Sequence, residues 1–265
     1  MAISSTARMI AQREGAIGWI TFDNPERRNA VSLAMWEVLG AIVRDYVADP
    51  AVRVIVVKGA GDKAFVSGAD ISEFEEKRSS SKTIERYNRA AEEATEALER
   101  AGKPTIAMVR GYCIGGGVSI ALCCDLRIAA DGAKFGVPAA KLGLGYGFHG
   151  VRRLVEVVGP SFAKEIFYTA RQFTAREAMA MGLVNRVVPD VELETSVREC
   201  AGTIATNAPL TVASIKTIVD EVMKDPAKRD LAHCEETVQR CFASEDYAEG
   251  RRAFMEKRKP LFKGR

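Results

Sequence analysis

Residues 111–125 read GYCIGGGVSIALCCD. The stretch follows an apolar run at 105–109 that suits a strand, and it leads into helix-forming residues. Three consecutive glycines at a strand-to-helix junction permit positive φ and close backbone approach. Their amides lie at a helix N-terminus, where unpaired N–H donors and the macrodipole attract negative charge. An anion or oxyanion site is built in this way. The same triplet equally suits a tight turn that packs a helix close against a sheet. It is not a P-loop, because no Gly-Lys-Ser/Thr follows.

Outward from this stretch, the first half of the chain alternates strand and helix patterns. Residues 17–22, 52–58, 105–109, 126–129 and 133–136 read as strands, and 31–48 and 83–101 as amphipathic helices. Strands separated by helices imply an α/β layered core with right-handed crossovers. From about residue 160 the pattern turns helical: 161–169, 175–181, 191–206, 209–224, 228–243 and 244–259. Pro209 suits a first helical turn, and Pro260 ends the last helix. The division expected is an α/β core over 1–195 and a C-terminal helical region over 196–265.

The 265 residues are 47% hydrophobic and 28% charged, which excludes disorder. The longest nearly uncharged apolar run, 114–124, is too short to cross a bilayer, which takes ~20 residues. The net charge of +3 gives no argument for a nucleic-acid partner. The cations are unevenly placed, however. Residues 251–265 hold seven Lys or Arg and one acid, Glu256, on an otherwise mildly acidic chain. Such a tail is either a solvated helix end or a surface for an anionic ligand or a neighbouring subunit. Six cysteines form no C-x-x-C pair and there are two histidines, so no metal site is expected. Cys113, Cys123 and Cys124 sit in apolar sequence and read as small buried hydrophobes. The N-terminus lacks a signal-peptide core, which points to a reduced, cytoplasmic setting.

Two other segments invite a chemical reading. Residues 63–74, KAFVSGADISEF, run from an apolar stretch through Ser67-Gly68-Ala69-Asp70 into a helix-like pattern that Asp70 could cap. Residues 145–150, GYGFHG, match G-x-G-x-x-G, but they follow a poor strand, and no ribose-binding acid is presented further on. A dinucleotide site is not expected there.

Together these residues resemble the crotonase, or enoyl-CoA hydratase/isomerase, superfamily. The likeness is carried by Asn24-Pro25 with Asn29-Ala30, AFVSGADI at 64–71, GYCIGGG at 111–117, KFGVP at 134–138 and SEDYAEGRRAFMEKRKPLFKG at 244–264. The resemblance implies a spiroid core of ββα units, a C-terminal oligomerisation region, a trimer or dimer of trimers, an acyl-CoA thioester substrate, and no cofactor or metal. It assigns the oxyanion hole to the amides of Ala69 and Gly116 and the CoA nucleotide to Arg28, Ala30, Asp70 and Ile71. Gly68, Gly115, Ser119, Pro138 and Ala139 complete the substrate-facing set.

Hydratases of this superfamily use two glutamates, which would fall at Ser119 and Ala139. Neither residue moves protons as a tuned carboxylate does. Decarboxylation of a malonyl-type thioester needs an oxyanion hole but no such base, and LGLGY at 142–146 looks most like the methylmalonyl-CoA decarboxylase branch, which places a tyrosine where Tyr146 falls. That branch also has a histidine at the place of Ala69. Decarboxylation is therefore the expected chemistry, with Tyr146 as the polar residue near the reacting centre. The alternatives are a hydratase or isomerase that recruits Tyr146, Ser119 or His149, and a non-catalytic protein that binds acyl-CoA or, through its basic tail, RNA.

Overall fold

The computed structural model describes residues 4–70 and 81–265. Among them, seven strands form one sheet in the order β1-β2-β3-β4-β6-β8-β11 and four form a second in the order β10-β9-β7-β5. The first sheet comprises β1 (Ser4–Thr6), β2 (Met9–Glu14), β3 (Ile17–Phe22), β4 (Val54–Gly59), β6 (Thr105–Val109), β8 (Leu126–Ala130) and β11 (Arg186–Val188). The second comprises β5 (Ala64–Val66), β7 (Tyr112–Ile114), β9 (Lys134–Gly136) and β10 (Phe173–Thr174). β1 to β3 are antiparallel, and β3-β4-β6-β8-β11 run parallel.

A repeating step connects the sheets. Each of β4, β6 and β8 in the large sheet is followed within a few residues by β5, β7 or β9 in the small one. The corners are tight. At Gly111, between β6 and β7, φ is +64°, and a Cβ would lie 2.1 Å from the Lys63 carbonyl oxygen. Only glycine makes this turn.

Helix α1 (Leu33–Ala48) and helix α2 (Ser81–Glu99) pack on each other and on the face of the sheet that meets α3 (Gly116–Cys123). α1 starts on a Ser32 side chain that accepts the Met35 amide. The central parallel strands β4, β6 and β8 are largely apolar because both faces are covered, with Arg127 the buried exception on β8. On the far face Trp19, Val54, Val56, Ile106 and Ile128 meet Leu193, Val197 and Ala201 of a later helix, α6 (Leu193–Thr206).

Several sequence readings shift here. Residues 9–14, which carry no clear alternation, form β2, because Gly15 at φ +59° closes a hairpin onto β3. The segment expected at 161–169 is the second half of α4 (Phe148–Thr169), kinked where Gly159 takes φ 75° and ψ 167°. α5 (Ala175–Ala180) is capped by Thr174 and Glu177. The 195/196 boundary falls inside α6, which packs on the large sheet, so the helical region that stands off the core begins with α7 (Pro209–Val222). α8 (Leu231–Phe242) and α9 (Glu245–Met255) follow. α9 stops short of Pro260, with Lys257 left-handed at φ 53°.

No described helix is long and apolar enough to cross a membrane. Cys113, Cys123 and Cys124 are buried, as read from the sequence, and burial pushes their thiols up, Cys123 to about 12.

Candidate active site

The glycine triplet closes β7 onto α3. The Gly115 amide donates to the Gly136 carbonyl at 2.8 Å, with φ at 54°. Gly117 lies so close to β5 that a Cβ would sit 2.2 Å from the Val66 carbonyl oxygen. Between them Gly116 faces Gly68, and its absent Cβ would stand 3.9 Å from the Gly68 carbonyl carbon and 3.6 Å from Cζ2 of Trp36. The Ser119 amide donates to the Gly115 carbonyl at 3.2 Å, so the amides of Gly116, Gly117 and Val118 precede the helical ladder.

The second backbone donor lies across this contact. Val31 forms a parallel bridge with Ala69: the Val31 amide donates to the Gly68 carbonyl at 2.9 Å and the Asp70 amide to the Val31 carbonyl at 3.1 Å. In a parallel pair these flanking bonds turn the N–H of the central residue away from the partner strand. The Ala69 amide is thus turned away from Val31, one residue beyond the Gly68 backbone that touches Gly116.

The 24–31 loop holds this edge in place. Asn29, fully buried, donates through Nδ2 to the carbonyls of Ala60 at 2.9 Å and Ala64 at 2.7 Å. Asn24 donates from its amide to Asn29 Oδ1 at 3.0 Å and from Nδ2 to the Ala30 carbonyl at 3.1 Å. The Arg28 carbonyl accepts the Ser67 amide at 3.1 Å, and Arg27 Nη1 grips both oxygens of Asp70 at 3.0 and 2.9 Å. Arg28 itself is left-handed at φ 53°, with its guanidinium 5.3 Å from the Tyr112 ring centroid. Arg28, Ala30, Gly68, Ala69 and Asp70 therefore share one edge. Ile71 lies outside the described residues. The positioning roles of Asn24 and Asn29 were missing from the sequence reading, although both residues were in view. Their signal was the Asn-Pro step and a left-handed Asn29, since asparagine tolerates φ near its 56°.

The other wall is made of side chains. Ser119 Oγ lies 3.2 Å from the Tyr146 hydroxyl. The Tyr146 ring packs edge-on against Phe167 of α4, with centroids 5.0 Å apart. Burial raises its phenol pKa above the ordinary value, and the Ser119 hydrogen bond works against that rise. Ala139 is buried at the start of a 3₁₀ turn over Ala139–Leu142, and Pro138 Cδ stands 4.0 Å from where a Gly115 Cβ would be. That turn replaces the strand a dinucleotide fingerprint requires before residues 145–150. His149 is exposed. It lines a separate cavity of about 640 Å³ between α2, α4 and α7, with Glu92, Arg152 and Asp220. The structure gives His149 no link to the Ser119–Tyr146 pair. No cluster of potential metal ligands occurs among the described residues.

This backbone arrangement meets a whole-chain match: residues 12–265 fit the enoyl-CoA hydratase/isomerase family model. The chain belongs to that family. Its relatives include a short-chain-enoyl-CoA hydratase of Clostridium acetobutylicum, 37% identical over 95% of each chain. A crotonyl-CoA hydratase of Syntrophomonas wolfei is 38% identical over 96% of this chain and 97% of its own. Among solved structures, an enoyl-CoA hydratase/carnithine racemase from Magnetospirillum magneticum superposes with a TM-score of 0.94 at 36% identity, covering 99% and 97% of the two chains. The fold is thereby the crotonase fold, an α/β core with a helical C-terminal region, and the protein is an acyl-CoA enzyme of that superfamily. The relatives named are hydratases, so the likeness to the decarboxylase branch draws no support from them.

Proposed function

We propose that the protein holds an acyl-CoA thioester with its carbonyl oxygen between the amides of Ala69 and Gly116 and processes it through the thioester enolate. Arg28, Ala30 and Asp70 form the edge that receives the CoA nucleotide, a role the family resemblance also gives Ile71; Gly68 adjoins them, and Gly115, Ser119, Pro138, Ala139 and Tyr146 line the acyl end. Coenzyme A is part of the substrate, and the reading calls on no cofactor.

The observation that carries it is the Ser119–Tyr146 hydroxyl pair beside the glycine helix. A tyrosine whose phenol is raised by burial stays neutral at ordinary pH. It hydrogen-bonds well but is a poor general base. Decarboxylation needs no base. The bond between the α-carbon and the carboxylate breaks, CO2 leaves, and the electron pair passes onto the carbonyl oxygen as the enolate. Tyr146 donates to the departing carboxylate and holds the breaking bond in line with the carbonyl π system. The enolate then takes a proton from water at the α-carbon.

The names of the relatives favour a second reading, hydration of a short enoyl-CoA. There Ser119 and Tyr146 would orient a water rather than ionise it. Incubation with malonyl-CoA, methylmalonyl-CoA and crotonyl-CoA, followed by mass spectrometry, separates the two. Loss of CO2 from a malonyl-type ester supports the first, and rapid gain of water by crotonyl-CoA the second. Binding without turnover of any ester leaves an acyl-CoA-binding protein.

We further propose a homo-oligomer, a trimer or dimer of trimers. Its support is the exposed apolar surface of α7 and α9, where Ile215, Val219, Val222 and Phe254 lie largely open in one protomer.

A further inference from the structure

The end of α3 opposite the glycine triplet carries a buried cation. Arg127, on β8, is 5% exposed. Its Nη1 donates to the carbonyls of Cys124 at 2.6 Å and Ala121 at 3.2 Å, and its Nε to that of Leu183 at 2.7 Å. These carbonyls accept from its Nε and Nη1 without neutralising it. The nearby Asp125 carboxylate is engaged elsewhere, by Lys216 Nζ at 2.9 Å and by the Thr105 amide and hydroxyl at 2.8 and 3.0 Å. A second guanidinium, Arg153, donates to the Leu122 carbonyl at 3.1 Å, but Glu156 and Glu99 balance its charge.

Burying a charge without a counter-ion is costly, and proteins usually avoid it. The position of this one suggests its use. α3 is eight residues long, so its ends are ~12 Å apart. In so short a helix the negative pole at the C-terminus cancels part of the field that the first amides present. Arg127 sits on that pole and reverses its sign.

We propose that Arg127 is a positioning residue for the reaction: through α3 it raises the positive potential at the Gly116 amide, where the thioester oxyanion forms. The inference rests on the oxyanion reading above. It adds a source of field that touches neither substrate nor reacting atoms. A unit charge at ~12 Å in an effective dielectric of about 20 changes a rate through an anionic transition state about tenfold.

The test reads the carbonyl itself. Acetyl-CoA labelled with ¹³C at the thioester carbonyl binds without undergoing decarboxylation or hydration, and its infrared C=O stretch falls in frequency as donors pull on the oxygen. Wild type should lower that frequency. Arg127→Lys keeps the charge and should keep most of the downshift. Arg127→Gln keeps a hydrogen-bonding group without the charge and should lose much of it, with turnover of the true substrate down about tenfold at little change in KM. Lys216→Met preserves every bond from Arg127 to α3 while leaving the Asp125 charge uncompensated two residues away. It should diminish the downshift in the same direction, and it carries the test if Arg127→Gln does not fold. A folded Arg127→Gln with the wild-type downshift overturns the proposal. So does an Arg127→Lys that loses as much as Arg127→Gln, or an unchanged downshift in Lys216→Met. Wild type that binds the probe with no downshift at all fails the oxyanion reading first, and the inference with it.

Discussion

The two walls of the candidate site are built from different materials. On one side the groups we propose as functional are backbone amides, those of Ala69 and Gly116, and the side chains around them serve to place the chain: Asn24 holds the 24–31 loop together, Asn29 ties it to the β4–β5 corner, and glycines allow β5 and α3 to touch. On the other side stand side chains, Ser119 and Tyr146, whose placement depends on packing against Phe167. A backbone wall withstands most substitutions and specifies only that an anion is held. A side-chain wall can be rewritten residue by residue, and it decides which reaction the anion enters. Chains of one fold can therefore share a thioester site and differ in chemistry.

The largest effect should come from the packing that makes the backbone wall. Gly117→Ala places a methyl 2.2 Å from the Val66 carbonyl oxygen, a backbone atom that no side-chain rotation can move aside. The variant should lose about 3 kcal/mol or more of stability, or fail to fold. Denaturant melts followed by circular dichroism measure this, and a wild-type midpoint would mean the β5–α3 contact is looser than described.

Gly116→Pro is the next in size and separates folding from function. Gly116 is the first residue of α3, a position where proline is tolerated, and its missing Cβ faces ordinary contacts of 3.6 Å and beyond. The fold should survive. Turnover should fall about 10²–10³-fold, the cost of one oxyanion donor. A folded Gly116→Pro with wild-type activity would remove Gly116 from the site.

The side-chain wall should respond more mildly. Tyr146→Phe keeps the ring against Phe167 and removes the hydroxyl that meets Ser119. A hydrogen bond to a charged group is worth about 1.5–3 kcal/mol, or about 10–150-fold in rate. The pH profile sharpens the point. The raised Tyr146 phenol ionises only above its ordinary range, so the rate should be level from about pH 6 to 9. A limb rising through about pH 5–7 would reveal a carboxylate or imidazole base and favour hydration.

The same division of materials governs how much of the molecule could be read in advance. The glycine triplet was legible as a close approach of helix and sheet, which the Gly117 contact with β5 bears out, while the oxyanion roles of Ala69 and Gly116 came from the family resemblance and not from composition. Of the parallel strands, β3, β4, β6 and β8 were legible as largely apolar runs, whereas β11, three residues that begin with an exposed Arg186, was not. β2 was not, since Met9–Glu14 mixes charge with apolar residues and is a strand only because Gly15 turns it onto β3. α6 was divided between two regions because nothing in its sequence says which surface its apolar stripe covers; the large sheet decides that. The pairing of Ser119 with Tyr146, twenty-seven residues apart, is a tertiary fact. So is the lack of any link from His149 to it, despite the closeness of His149 to Tyr146 in sequence.

The smallest effect concerns the basic tail, which neither wall explains. Its charge left open a solvated helix end or a surface for an anionic ligand or a neighbouring subunit, and the structure spends much of that charge within the chain. Arg258 and Arg252 pair with Glu249, and Lys263 and Arg265 lie 3.9 and 3.4 Å from Glu245. The chain end is held by Asp246, 3% exposed, whose two oxygens accept the amides of Lys263 and Gly264 at 2.6 and 2.7 Å, while Arg53 Nη2 donates to the Phe262 carbonyl. Asp246→Ala removes the acceptor for both amides and should cost about 1–3 kcal/mol, read as a lowered Tm. Releasing the tail in this way also separates its two readings. If its cations serve only to close the fold, free CoA binds the variant as it binds wild type, and light scattering finds the same oligomer. If the tail meets the CoA phosphates or a neighbouring subunit, as the family resemblance implies, affinity or assembly falls along with Tm, and the affinity loss shrinks as salt screens the phosphate charge.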